Sequence, residues 1–338
     1  MPLKRNSTNF RAARLSSFGS PLRIESVNLP PLGPCDILIK VHFTGINFYE
    51  LMIMDGKYPS LPTLPTTPGG ELAGVVLETG SNVKTFHKGD RVFSLAQSGK
   101  GTTGSYGEIA RVNEQYLYAL PKTVSFETGA STPMVTFAAY TMLRKRVTIP
   151  ENGVVLIHSA AGGVGSTLIQ LANSMFSKLT IIGTCSNDQK AKTVHSLGAD
   201  VVINTKKRSF VDEIHKKFPG GVDVIFDPMG QQYIDANLSL LRPLYGTICS
   251  YGTYTGPIID SALVTKLRKN NLTFSGFLMW PLLENKELCM DIFTRVFELL
   301  NTKQFKPLID KVFPLEKINV AIERIRQRKN IGKILIKT

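Results

Sequence analysis

The chain has 338 residues, of which 43% are apolar and 20% charged, with a formal net charge of +14. That length and balance fit two globular domains and argue against a disordered chain. No apolar run is long enough to span a bilayer, no secretory signal opens the chain, and four scattered cysteines offer neither zinc-site spacing nor a disulfide framework.

Residues 1–10 read as a flexible tail. Lys4, Arg5, Arg11 and Arg14 precede the first acid, Glu25. A mitochondrial leader is disfavoured, because the first strand begins near Ala12. Residues 12–27 and 35–46 read as strands, and Phe48 to Asp55 as a short helix. The segment from Gly56 to Pro68 carries four prolines and must be extended. Leu72 to Glu78, Arg91 to Leu95 and Tyr106 to Val112 complete an irregular β-rich region.

From about Ser125 the period changes. Helical patterns cover Glu127 to Leu143. Val154-Val-Leu-Ile157 then reads as a buried strand that runs into Ser159-Ala-Ala-Gly-Gly-Val-Gly165 and a helix. Strands follow at Leu179 to Thr184, Val201 to Asn204, Val222 to Asp227 and Thr247 to Tyr251. Helices alternate with them at Gln189 to Leu197, Phe210 to Phe218 and Ile234 to Leu241. Thr273 to Phe277 reads as an edge strand. This alternation predicts a parallel sheet covered on both faces. Helices at Leu288 to Leu300 and Leu315 to Gln327, the latter capped by a turn at Gly332, and a strand at Ile334 to Ile336 close the chain.

The fold class is therefore α/β, with a doubly wound parallel-sheet domain inserted into a β-rich domain. The domains are expected at 11–130, 131–276 and 277–338, the last returning to the first domain. A ligand is expected beyond the carboxyl ends of the strands, in the crevice between the domains.

Ala160-x-Gly162-x-x-Gly165 approximates a dinucleotide fingerprint, with alanine in place of the first glycine. Between a strand and a helix it reads either as a pyrophosphate site or as a plain structural turn. The residue ending the second strand selects the cofactor, since an acid there binds the NAD ribose and repels the NADP phosphate. That strand ends Gly183-Thr-Cys-Ser186, without an acid. Ser186 and Lys190 suit a phosphate, whereas Asp188 counts against one. Basic clusters such as Lys206-Lys-Arg208 and Lys266 to Lys269 read as a solvated basic surface or as attraction to anionic membranes. No nucleic-acid motif accompanies them, so no specific nucleic acid is expected.

Several stretches together resemble the zinc-independent quinone oxidoreductase (zeta-crystallin) branch of the medium-chain dehydrogenase/reductases. They are Gly45-Ile-Asn-Phe48, Asp55-Gly-Lys-Tyr58, Pro68-Gly-Gly-Glu-Leu-Ala-Gly-Val75, Gly89-Asp-Arg-Val92, the 158–165 loop and Asn330-Ile-Gly-Lys333. Within that branch, Leu61 to Pro68 and Gly221 to Gly230 resemble the synaptic-vesicle membrane protein homologues.

The resemblance implies a GroES-like β-rich domain around a Rossmann domain. It also implies NADPH as cofactor and hydride transfer to a quinone or an α,β-unsaturated carbonyl. Gly162, Gly163 and Val164 would meet the pyrophosphate. Ser186, Lys190 and Thr205 would lie at the adenosine phosphate, Asn47, Tyr251 and Gly252 by the nicotinamide, and Asn330 would close over the cofactor. Tyr58 reads as a proton donor at the substrate or as a ring packed in the proline-rich loop. Asn47 reads as a second catalytic residue or as a turn residue.

Zinc-dependent relatives carry Cys where this chain has Asn47, and His where it has Gly70, so no metal is expected. Two departures stand out: Thr205 replaces a tyrosine and Ala138 a threonine. The resemblance further implies a homodimer paired along Leu272 to Phe277 and a cytoplasmic protein. An alternative keeps the fold and nucleotide but works as a membrane-associated or apolar-ligand-binding protein. A further one is an enoyl-thioester reductase.

Overall fold

The computed structural model describes residues 9–97 and 99–338. Residues 1–8 of the expected tail lie outside them. Asn9 and Phe10 already belong to a strand, Asn9–Arg14, because Asn9 pairs with Asn28 at the end of Arg23–Asn28.

The chain forms two units. One comprises the residues up to Met134 with Trp280–Phe293 and Ile309–Thr338; the other comprises Val135–Met279 with Thr294–Leu308.

The first unit is built on a seven-stranded sheet. Its axis is the long strand Asp36–Ile46, which pairs antiparallel with Glu71–Thr79, Ile109–Asn113 and Lys333–Lys337. Ile37, Ile39 and Val41 pack on Leu72, Val76 and Val92 in one core. A second core gathers Leu15, Ile46, Leu51 and Tyr106 against Ile318, Ile322 and Ile325. Those three isoleucines recur at helical spacing along Ile318–Arg326, which gives that helix one apolar face. The helix is closed by Arg328 in the left-handed region (φ 54°), whose N–H reaches the Ile325 carbonyl at 2.8 Å. The C-cap is Gln327, Arg328 is the left-handed residue that follows it, and Gly332 lies beyond both.

The second unit holds a six-stranded, wholly parallel sheet. In space its strands run Val201–Asn204, Thr180–Cys185, Val154–Ile157, Val224–Asp227, Thr247–Ser250 and Thr273–Gly276. In chain order that is 3-2-1-4-5-6, the doubly wound arrangement whose order reverses between Val154–Ile157 and Val224–Asp227. All four residues of Val154–Ile157 and of Val224–Asp227 are buried, as strands covered on both faces require.

Candidate functional site

Every cofactor residue expected in the second unit lies at the carboxyl end of a parallel strand. The loop after Val154–Ile157 delivers Gly162, Gly163 and Val164 to the N-terminus of the helix Gly163–Met175. Among the described residues no side chain caps that N-terminus, and its first turn holds no acid. Its first N–H groups and the positive dipole end are thus available to an anion.

Gly165 needs its hydrogen, because a Cβ there would lie 2.5 Å from the Ser159 carbonyl oxygen and 2.8 Å from Ala160 Cα. Alanine is accepted at 160 because the facing strand residue is Gly183. A Cβ on Gly183 would come within 3.0 Å of the Ala160 methyl. The neighbouring His158 is buried, with Nδ1 3.0 Å from Thr184 Oγ1 and Nε2 2.8 Å from Asn237 Oδ1. Burial lowers its pKa to about 4, so it stays neutral and holds the sheet.

Ser186 and Lys190 follow the second strand. Lys190 is buried in the first turn of the helix Asp188–Ser196, where its N–H is capped by Asn187 Oδ1 at 2.8 Å. Asp188 accepts from Asn204 Nδ2 at 2.8 Å and pairs with Lys207 Nζ at 2.5 Å. Thr205 donates its hydroxyl to the Cys185 carbonyl at 3.1 Å, which joins the ends of the second and third strands. Tyr251 donates its N–H to the Asp227 carbonyl at 3.0 Å. A Cβ at Gly252 would lie 2.8 Å from the Pro228 carbonyl oxygen. Asp227 itself accepts from Met229 and Gly230 N–H groups, and burial raises its pKa to about 6. It holds a loop. Ala138 is buried in the helix Pro133–Thr141.

The first unit holds Asn47, Tyr58 and Asn330. Asn47 sits in a buried polar cluster that the sequence did not reveal. Its Oδ1 accepts from Lys333 Nζ at 2.6 Å and its Nδ2 donates to Glu71 Oε1 at 2.8 Å. Lys333 also pairs directly with Glu71, and both are buried. The second carboxylate oxygen of Glu71 accepts from Met134 N–H at 3.0 Å. Glu50 receives N–H groups from Asn47 and Gly70, each at 2.8 Å, and the Tyr106 hydroxyl. Burial raises the Glu50 pKa to about 7. At Gly70 a Cβ would overlap the Tyr49 hydroxyl. A side chain larger than glycine there would have to displace Tyr49.

Tyr58 is half-buried, and its hydroxyl accepts from Trp280 Nε1 at 2.7 Å. Tyr49 lies edge-on to Trp280, with centroids 4.9 Å apart. Burial raises the pKa of Tyr58, against the opposing pull of the Trp280 bond. Asn330 donates to the Gly332 carbonyl at 2.9 Å and so shapes its own turn. Among the described residues no group of acids, histidines and cysteines is arranged to hold a metal ion. No helix there is long and apolar enough to cross a membrane.

Residues 33–122 match a family model described as an alcohol dehydrogenase GroES-like domain, and 163–293 one described as a zinc-binding dehydrogenase. The mouse synaptic vesicle membrane protein VAT-1 homolog is 32% identical over 345 residues, covering 96% of this chain and 83% of that protein. The chain belongs to the medium-chain dehydrogenase/reductase superfamily. A second superfamily relative, mouse quinone oxidoreductase-like protein 2, is 32% identical over 97% of this chain and 92% of its own length. Among solved structures of the superfamily, Escherichia coli quinone oxidoreductase complexed with NADPH aligns with a TM-score of 0.89 at 26% identity. That alignment covers 98% of this chain and all of the other. The GroES-like and Rossmann reading of the sequence is thus correct, and this fold holds NADPH in that neighbour.

Proposed function

We propose that this superfamily member is an NADPH-dependent reductase that works without zinc, with quinones or α,β-unsaturated carbonyls as acceptors. The observation that carries this reading is the Asn47–Lys333–Glu71 cluster. Asn47 stands where zinc-dependent relatives carry a cysteine, and its carbonyl oxygen already accepts from a buried ammonium at 2.6 Å. A divalent cation on that oxygen would face a like charge in a dry site, which is strongly unfavourable. Without a Lewis acid, an alkoxide has nothing to stabilise it. An acceptor that delocalises its own negative charge avoids that need.

NADPH, when bound, supplies a hydride. Gly162, Gly163 and Val164 would hold its pyrophosphate. Ser186, Lys190 and Thr205 would hold its 2′-phosphate, Tyr251 and Gly252 would flank its nicotinamide, and Asn47 and Asn330 are the cofactor residues proposed from the first unit. Tyr58 supplies the proton. Its oxygen accepts from Trp280, so its own O–H is left to donate, and burial keeps the phenol neutral. An enone needs that proton on carbon, whereas a reduced quinone takes protons from water.

The test compares enone and quinone turnover in the native chain and in Tyr58→Phe. Enone turnover should fall by about a hundredfold or more, as loss of a general acid does, while quinone turnover changes little. No turnover of either class in the native chain would sink the reading.

We further propose a homodimer paired through Thr273–Gly276, which ends the parallel sheet among the described residues. A second reading, attachment to anionic membranes, is favoured by the net charge of +14 and by the vesicle-protein relatives. Vesicle binding that vanishes at moderate salt would reduce it to charge attraction.

A further inference from the structure

An acid in the loop after the second parallel strand ordinarily holds a ribose diol and repels a 2′-phosphate. Here that strand ends at Cys185, and Asp188 opens the next helix. Asp188 is two residues from Ser186 and two from Lys190, the pair proposed for the phosphate. Left alone, its carboxylate would oppose them.

It is not left alone. Oδ1 accepts from Asn204 Nδ2 at 2.8 Å, and Oδ2 pairs with Lys207 Nζ at 2.5 Å. Asn204 is buried at the end of the third strand. Its own Oδ1 accepts from the Lys206 N–H at 3.2 Å. That bond fixes the amide with its NH2 toward Asp188. Both carboxylate oxygens are therefore engaged, one from the end of the third strand and one from the turn after it, and the adjacent ammonium cancels the charge. The ion pair is largely exposed, so it adds little to folding. Its effect falls on a charged ligand nearby.

We infer that Lys207 and Asn204 are specificity-determining residues. They hold and neutralise Asp188, so that the second-strand loop accepts a 2′-phosphate that a free carboxylate would repel. This rests on the NADPH reading of the same pocket. Lys207 acts here through Asp188 and not as a phosphate ligand.

The experiment titrates the full chain with NADPH and with NADH, following nicotinamide fluorescence at low salt. The variants are Lys207→Ala, Asp188→Asn and the two combined. Lys207→Ala should weaken NADPH about three- to tenfold and leave NADH within about twofold, as expected of one uncompensated charge near a dianion in a solvated loop. Adding Asp188→Asn should restore NADPH binding. An unchanged cofactor ratio in Lys207→Ala would overturn the inference. So would a double variant as weak as Lys207→Ala, because Lys207 would then touch the phosphate itself. Lys190→Ala separates the two claims. If it weakens NADPH while Lys207→Ala does not, the cofactor reading stands and the role of Lys207 falls. If the native chain ignores NADPH, both fall.

Discussion

Lys333 closes an Asn-Ile-Gly-Lys turn in the sequence, yet in the fold it is a buried cation shared between Asn47 and Glu71. Neither partner is near it in the chain, so only the family motif, and not the ion pair, was legible. Removing one member of such a pair strands the other charge. Lys333→Met should therefore destabilise the chain by about 3–5 kcal/mol in urea unfolding, with much of the loss recovered when Glu71→Gln is added. If the two single losses simply add, the residues are not coupled.

His158 offers a test by pH. Its folded pKa is about 4, below the ordinary 6.5, so the unfolded chain binds the proton more readily between those values. The stability it contributes is full above pH 6.5 and is lost as the pH falls toward 4. Glu50 and Asp227, with raised pKa values, contribute in the opposite sense. Comparison with His158→Gln isolates the histidine. The stability gap between native chain and variant should narrow by about 2 kcal/mol from pH 7 to pH 5. A gap independent of pH would contradict the buried, neutral assignment.

At the scale of elements, the central parallel strands Val154–Ile157 and Val224–Asp227 were legible because burial on both faces makes them near-continuous apolar runs. Leu117–Ala119, Ile309–Pro314 and Leu263–Lys269 were not. Ile309–Pro314 buries none of its residues, sets Asp310 and Lys311 side by side without alternation and ends in proline, and its partner Lys333–Lys337 follows much later. Leu263–Lys269 buries no residue fully and offers only Leu263 and Leu267, both half-buried, as an apolar stripe, so its lysines read only as a basic cluster. Tyr106 and Gly107 precede the strand Ile109–Asn113 instead of beginning it.

The element on which the NADPH proposal most depends is the turn into Gly163–Met175. Gly165→Val would press on the backbone of Ser159 and Ala160. It should cost about 1–3 kcal/mol and weaken NADPH binding. Gly162→Ala meets its nearest atom only at 3.2 Å and should be milder. Equal stability of Gly165→Val and the native chain would mean that the close approach is not needed.

At the scale of the whole molecule, the chain forms two units. One holds a doubly wound sheet whose strand ends carry the residues proposed for the phosphates. The other holds Tyr58 and the ion-paired cluster around Asn47. The architecture was legible from the change of period near Ser125. The state of the acids was not: the sequence marks Asp188 as opposing a phosphate but does not show the partners of Asp188, Glu50 or Glu71. Glu50 and Glu71 hold backbone and a buried lysine, and Asp188 is neutralised from the turn after the next strand.

The central claim is that this molecule uses NADPH, and a fluorescence titration with NADPH and NADH tests it most directly. We predict saturable binding with NADPH preferred, and at least about a tenfold loss of NADPH affinity in Lys190→Ala, the scale of one charge-assisted contact to phosphate. Binding of neither cofactor, or equal binding of both untouched by Lys190→Ala, would contradict it.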